Sequence, residues 1–412
     1  MEPGPQPLIL RQWKNHLPHD VVLNILVTLP VKSLIRFKCV SKLWDSSITS
    51  PNFISTHLNI VNNNNNNDDN DHAYLIQTCI EYNSPKIPIT YKVFCCDRTF
   101  DSLFEFSVPS DFDLNMSLLI GSCNGLVCLT QHRRLSATSD AIYLWNPSIR
   151  KFKRLPDSCS NGKDFWFSTG FGYQSKTNDY KVVKLRGTPV VAEVYTLSSD
   201  SWRKVEISFR SKVVGAIPYS FPLFFSGALH WFAYYSEGGR KFPDPTMILS
   251  FDVNNEKFRE MAIPDGDKLI KQDLFAFKGN LAFSSCGYPE NDDDLQSDSQ
   301  CFIWVMRDYG VHESWDKIFS IRLENVDISF YGCTEHGELL LYKKVKEESK
   351  DGEIKIHDWN ESTILSNDIA IVLLDPETLH EKDLGILRYV TDILTTFKES
   401  LVSLDGATEL YG

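Results

Sequence analysis

Apolar residues over the first sixty positions recur at helical spacing, and from about position 73 they alternate as strand residues do. Leu17, Val21, Val22, Ile25, Leu26 and Leu29 fall at i, i+4 and i+8, one face of a helix, with Pro18 where a first helical turn tolerates it. Pro30 stops that helix. Val31, Leu34, Ile35 and Phe37 open a second pattern, and Ser41 is placed to cap a third carrying Leu43, Trp44 and Ile48. Ser50-Pro51 repeats the cap-then-proline signal before Phe53, Ile54 and Leu58. A unit of roughly 40 residues buries too little surface to offset its chain entropy without disulfides, metal or a partner. This one has no disulfide pattern and no ligand cluster, so a partner is the expected remedy. The apolar pairs Leu17-Pro18 and Pro30-Val31 point the same way, because a self-contained bundle places polar caps at such helix ends.

The tract from Asn62 to His72 has no apolar residue to bury and reads as a solvated linker. Beyond it, four segments share one plan of apolar strand, polar turn and aromatic residue: IYLWNPSIRKFKRL, EVYTLSSDSWRKV, ILSFDVNNEKFREM and FIWVMRDYGVHESWDKI. Their aromatics, Phe152, Trp202, Phe258 and Trp315, are spaced by roughly 50 to 57 residues, near the period of kelch-type blades. A fifth copy, AIVLLDPETLHEKDL, keeps strand and turn without the aromatic. A second repeat interleaves with the first, a glycine turn opening into a strand at Gly125, Gly227, Gly279 and Gly337. Two hairpins per period make a four-stranded blade, and a closed ring of blades protects sheet edges and covers apolar faces. At about 50 residues per blade the segment from Tyr74 to Leu404 holds six or seven blades. The expected architecture is a small three-helix domain followed by an all-β, kelch-like β-propeller of about six blades. The boundaries are a tail over 1–12, the helical domain over 13–58, a linker over 59–73, the propeller over 74–405 and a tail over 406–412. The stretch Asp392 to Leu404 could supply the strand that closes the ring.

Both halves resemble known families. The run "LP…D", "IL…LPVKSLIRFKCVSKLW" and "SPNFISTHL" is similar to the F-box almost position by position. The resemblance implies docking onto the small Skp-type adaptor of a cullin-based (SCF) ubiquitin ligase through Leu17, Pro18, Ile25, Leu26, Leu29, Pro30, Val31 and Leu34. Asn24 departs from the acidic residue many relatives carry before the Ile-Leu pair. The segments "GSCNGLVCL", "LWNPSIRKFKRLP", "GFGYQSKTNDYKVVKL", "FFSGALHWF" and "ESLVSL" resemble the F-box-associated, kelch-related domain of plant proteins. Such proteins look like substrate receptors, in which the propeller holds a target for ubiquitin transfer. The pollen-side S-locus F-box proteins, which recognise ribonucleases, share the layout, and no residue separates that subgroup. A ligase-independent scaffold or carbohydrate-binding propeller is the alternative.

Composition narrows the picture further. The formal charge of −12 over 412 residues, with Lys and Arg scattered, argues against nucleic acid as a partner. No run reaches the ~18 apolar residues of a membrane span, and none at the N-terminus reads as a signal peptide, so the expected location is cytoplasmic or nuclear, with no membrane partner. In that reducing setting the ten cysteines are expected as free thiols. Gly-x-Ser-x-Gly, His-Glu-x-x-His and a phosphate loop are all missing, and the ten histidines are dispersed, so neither catalysis nor a metal or cofactor site is expected. Specificity on a rigid scaffold sits in loops, which makes the long connections Ser160 to Phe167, Tyr234 to Pro245, Cys286 to Gln300 and Val345 to Ser362 the candidate target sites. Trp166, Tyr235, Tyr288 and Trp359 are their candidate anchors.

Overall fold

Prolines and serines punctuate the helical region as expected, but they delimit four helices where three were anticipated. The computed structural model describes residues 17–63, 73–80, 89–95, 102–107, 117–131, 141–158, 167–186, 190–207, 213–216, 222–235, 247–266, 269–289, 299–323, 326–334, 337–345, 369–384, 394–406 and 408–409. α1 (His19–Leu26) and α2 (Val31–Lys38) each begin directly behind a proline, α3 (Lys42–Ile48) behind Ser41 and α4 (Pro51–Asn63) behind Ser50. Ser41 Oγ accepts the Trp44 N–H at 3.2 Å and Ser50 Oγ accepts the Phe53 N–H at 3.3 Å, each satisfying an orphan donor of a first turn. α4 is the additional helix, and it continues past Leu58 into the stretch expected as linker. A nucleated helix gains one hydrogen bond per residue added, so it absorbs a weak helix former such as Asn62 at small cost. Leu26, Val27, Val31, Leu34, Ile48 and Phe53 close into one apolar core.

From Ala73 the described regular structure is β apart from a single 3-10 turn at His312–Ser314. β1 (Ala73–Ile80), β2 (Ile89–Cys95) and β3 (Ser102–Ser107) lie in a first sheet, and β4 (Ser117–Cys123), β5 (Leu126–Gln131), β6 (Ala141–Asn146) and β7 (Lys151–Arg154) in a second. β8 (Phe167–Gln174), β9 (Asp179–Arg186), β10 (Val191–Thr196) and β11 (Ser201–Val205) make the third. The fourth holds β12 (Val213–Ala216), β13 (Leu223–Phe225), β14 (Ala228–Tyr235), β15 (Met247–Asp252) and β16 (Lys257–Ala262). β17 (Leu269–Phe277), β18 (Asn280–Pro289), β19 (Ser299–Met306) and β20 (Trp315–Leu323) form the fifth, and β21 (Val326–Cys333), β22 (Leu339–Val345), β23 (Ile369–Leu374) and β24 (Glu381–Asp383) the sixth. Two late strands, β25 (Leu394–Lys398) and β26 (Thr408–Glu409), return to the first and second sheets. Five sheets are thus built on consecutive strands, while the first is composite, in the order β25-β1-β2-β3. The inner strands β25, β4, β8, β13, β17 and β21 pack one against the next. The sheets therefore stand radially around an axis, as a β-propeller, and the apolar clusters lie between neighbouring sheets.

The turn chemistry explains both sequence repeats. Asn124-Gly125, Ser226-Gly227 and Lys278-Gly279 are two-residue loops with positive φ at both positions, the mirror-image turn whose twist matches the flanking strands. In the other repeat an Asx side chain folds the turn. Asn146 Oδ1 accepts the Ser148 N–H, Asp252 Oδ1 accepts those of Asn254 and Asn255, and Asp375 Oδ1 accepts those of Glu377 and Thr378. The repeated tryptophans interlock blades: Trp202 Nε1 donates to the Pro156 carbonyl at 2.7 Å and Trp315 Nε1 to that of Ala262 at 3.1 Å, each reaching the sheet before its own.

Ring closure follows the expectation for Asp392 to Leu404. β25 pairs with β1 from Ala73↔Lys398 to Gln77↔Leu394, so the last strand completes the first sheet. Two expectations are corrected. The tail placed over 406–412 contains β26, which pairs Thr408 with Phe152 and Glu409 with Lys151, because the outer edge of β7 offers unpaired backbone groups. The cysteines are not all free: Cys286 and Cys301 face each other across β18 and β19, with Cα atoms 4.1 Å apart, and are joined by a disulfide. That register is a long-range property which cysteine spacing does not reveal.

Candidate functional site

The residues marked for adaptor docking divide into two groups by burial. Leu17 is 59% exposed and Ile25 50%, and Pro18 and Pro30 are also exposed. Leu26, Val31 and Leu34 are buried in the helical core, and Leu29 packs at its edge. The apolar stripe of α1 is wider than a core needs. Val21 is exposed one turn before Ile25 on α1, and Leu17 is exposed just ahead of the helix. Three further exposed apolar residues escaped the sequence reading as surface positions: Ile35 on α2, Val40 at 61% exposure between α2 and α3, and Leu43 at 59% on α3. Spacing does not mark them: Ile35 stands at i+4 from the buried Val31, and only the packing shows that it faces outward. His19 Nε2 lies 3.3 Å from Ser47 Oγ, which ties the start of α1 to the end of α3. Lys38 and Asp45 pair across α2 and α3 at 3.4 Å. Six large apolar side chains among the described residues of the helical domain are thus left exposed.

The helical domain is seated on the ring. Leu401, which follows β25, and Ile149, in the turn between β6 and β7, pack into the same apolar cluster as Leu26 and Val31. The Val31 N–H donates to Glu399 Oε2 at 3.3 Å.

In each sheet the chain reverses at every strand, so turns joining first to second and third to fourth strands share one end. Contacts between sheets bear this out: Tyr180 Oη donates to the Asn124 carbonyl at 2.8 Å, Lys176 Nζ to Asn255 Oδ1 at 2.9 Å and Lys278 Nζ to Glu377 Oε1 at 3.2 Å. Ile149 sits at this turn end, so the helical domain does too. The remaining connections leave the sheets from the opposite end. Of the target anchors, Trp166 and Trp359 lie outside the described residues. Tyr235 ends β14 and Tyr288 lies near the end of β18, both at strand ends remote from the turns.

The described residues present no reactive constellation. No group of three or more His, Cys, Asp or Glu among them is placed to hold a metal ion. Burial pushes the Cys123 and Cys128 thiols well above their ordinary value, away from the thiolate. Burial likewise holds His230 neutral by lowering it to about 4, with Nε2 at 2.7 Å from Tyr309 Oη. Glu256 is held below the usual carboxylate range by Arg203 and Lys181 against the opposing effect of desolvation, a structural ion-pair cluster between blades. No helix among the described residues is long and apolar enough to cross a membrane.

A four-helix module with exposed apolar side chains is seated on a β-propeller. The family models agree with that division: residues 15–56 match the F-box domain and residues 75–365 the F-box associated β-propeller domain. The chain belongs to the F-box proteins that carry an F-box associated β-propeller. An F-box/kelch-repeat protein of Arabidopsis thaliana is 28% identical over 318 residues, covering 74% of this chain and 80% of the relative. The F-box protein CPR1 of the same plant is 26% identical over 336 residues, covering 74% and 73%. Among solved structures, the β-propeller domain of the Trilobed protease from Pyrococcus furiosus covers 76% of this chain and 93% of its own at 8% identity and a TM-score of 0.38.

Proposed function

We propose that the protein is the substrate-recognition subunit of an SCF-type cullin ubiquitin ligase, its helical module binding a Skp-type adaptor and its six sheets forming the six blades of a ring that holds a target protein. The observation that carries this reading is the exposure of Leu17, Val21, Ile25, Val40 and Leu43, apolar side chains left in water by a module too small to waste them. Ubiquitin chemistry belongs to other subunits, and this chain contributes proximity by raising the effective concentration of the target. The target surface is assigned to the end of the ring opposite the turns, where Tyr235 and Tyr288 lie and where the longer connections leave. Cytoplasm or nucleus is the compartment in which such a ligase works.

The test is co-purification of the full chain with a Skp-type adaptor, wild type against Leu17→Asp/Ile25→Asp/Leu43→Asp. These three side chains lie outside the core, so the variant keeps its fold. The wild type captures the adaptor, and the variant loses at least a hundredfold in affinity, because anchors at the centre of an interface each contribute on the order of 1–2 kcal/mol or more. If the folded wild type does not bind, the ligase reading falls and the scaffold reading replaces it. Equal binding by both proteins places the docking surface elsewhere.

A further inference from the structure

We propose that the segment Glu399–Val402 is a positioning element that completes the F-box from the propeller side and fixes the docking surface relative to the ring. Its functional meaning rests on the adaptor reading above, while the structural joint does not.

Side chains of this extended segment alternate between two bodies, as period-two geometry requires. Ser400 and Val402 face the ring. Ser400 is fully buried. Its carbonyl and its Oγ each accept from Asn146 Nδ2 at 3.1 Å, its N–H donates to Ser148 Oγ at 3.1 Å, and its hydroxyl donates to the Gly125 carbonyl at 3.3 Å. The Val402 carbonyl accepts from Asn146 Nδ2 at 2.9 Å, and Val402 packs on the apolar cluster between the second and third sheets. Glu399 and Leu401 face the helices. Leu401 is buried in the F-box core, beside Ile149 from the neighbouring turn.

Glu399 supplies what the local sequence of α2 lacks. Pro30 at the N-cap has no side-chain acceptor, and no side-chain cap is made there. The Val31 N–H, an orphan donor of the first turn, finds the Glu399 carboxylate instead, and a negative charge at that end also suits the helix dipole. The segment is anchored on both sides, by β25 in the first sheet and by Lys153 Nζ donating to the Asp405 carbonyl at 2.9 Å. A helical unit too small to be stable alone is therefore completed partly within its own chain. The adaptor meets a docking surface already formed and already oriented.

The experiment uses the full chain, with bio-orthogonal spin labels at the exposed Lys42 and Lys257 to report inter-domain distances, and amide exchange across α2–α4 with β14 and β15 as internal reference. Wild type gives one narrow distance. Leu401→Ala and Glu399→Ala each broaden the distribution and raise exchange in α2–α4 at least tenfold, leaving β14 and β15 unchanged, while Glu399→Gln, which keeps an acceptor oxygen, stays close to wild type. A broad wild-type distribution overturns the inference, and so does a narrow one that survives in the Leu401→Ala/Glu399→Ala double variant. If Leu401→Ala also loosens β14 and β15, Glu399→Ala decides, because its carboxylate accepts the Val31 N–H of α2. Failure of the wild type to bind the adaptor while the distance stays narrow removes the ligase reading and leaves the joint standing.

Discussion

Gly125 and Gly279 occupy the same position of the same two-residue turn, at φ +78° and +79°, but replacing them by alanine will have different costs. A Cβ at Gly279 meets nothing within 4 Å, so Gly279→Ala carries only the left-handed backbone penalty of about 1–2 kcal/mol. A Cβ at Gly125 lies 2.1 Å from Ser400 Cβ and 2.2 Å from Ser400 Oγ. Those atoms are bonded directly to the closing segment and cannot swing away as the tip of a long side chain can. Ser400 must move, and it carries bonds to Asn146, Ser148 and the Gly125 carbonyl in a fully buried setting. Weakening two or three buried hydrogen bonds at about 1–1.5 kcal/mol each adds roughly 3 kcal/mol to the shared backbone term. Urea unfolding followed by tryptophan fluorescence measures the difference. Gly125→Ala is expected to lose about 4–5 kcal/mol and Gly279→Ala about 1–2. If the two agree within about 0.5 kcal/mol, the Ser400 cluster does not hold the ring closed.

Two further predictions concern single groups. His230 has its folded value lowered from 6.5 to about 4 by burial, so the unfolded chain takes up its proton first as pH falls. Its contribution is intact above about pH 6.5, shrinks as pH falls toward 4 and is constant below that. At pH 5 the loss relative to pH 8 is about 2 kcal/mol. Unfolding free energies at both pH values will therefore differ by about 2 kcal/mol more in wild type than in His230→Gln, and identical pH dependence refutes the assignment. Leu379 is exposed and sits at φ +57° in the turn between β23 and β24, a conformation Asn adopts more readily than Leu. Leu379→Asn is expected to stabilise the chain by about 0.5–1 kcal/mol in the same urea assay, and no gain would show that the turn is not strained.

What could be read from the sequence was local, and what could not was long-range. The glycine turns and Asx turns are written in a few adjacent residues, so the interleaved hairpins were legible from Asn124-Gly125 or Asp252-Val-Asn-Asn alone. Apolar spacing found α1 and α2, yet it could not say which apolar residues face the core. Leu26 and Ile25 are adjacent and equally apolar, and only the packing of Ile48, Phe53 and Leu401 determines that one is buried and the other left in water. The contacts that escaped join residues far apart in the chain: Glu399 to Val31, β26 to β7 and Cys286 to Cys301. Nothing in the local pattern near Pro30 hints that its missing cap comes from the C-terminal segment.

The same interlocking accounts for an asymmetry between the two ends of the ring. Short turns at one end touch from sheet to sheet, Asn124 with Tyr180, Lys176 with Asn255 and Lys278 with Glu377, so lengthening any of them breaks a contact with its neighbour. Ile149 and the segment after β25 belong to this end, and the F-box sits there because only a surface of fixed geometry can complete its core. Connections at the other end are not held by those turn contacts. In the proposed reading, specificity can therefore change at that end, through residues near Tyr235 and Tyr288, without disturbing ring closure or the adaptor surface. The contacts that seat the F-box and close the ring lie at one end, so loop changes at the other leave both intact, as loops on a rigid scaffold allow.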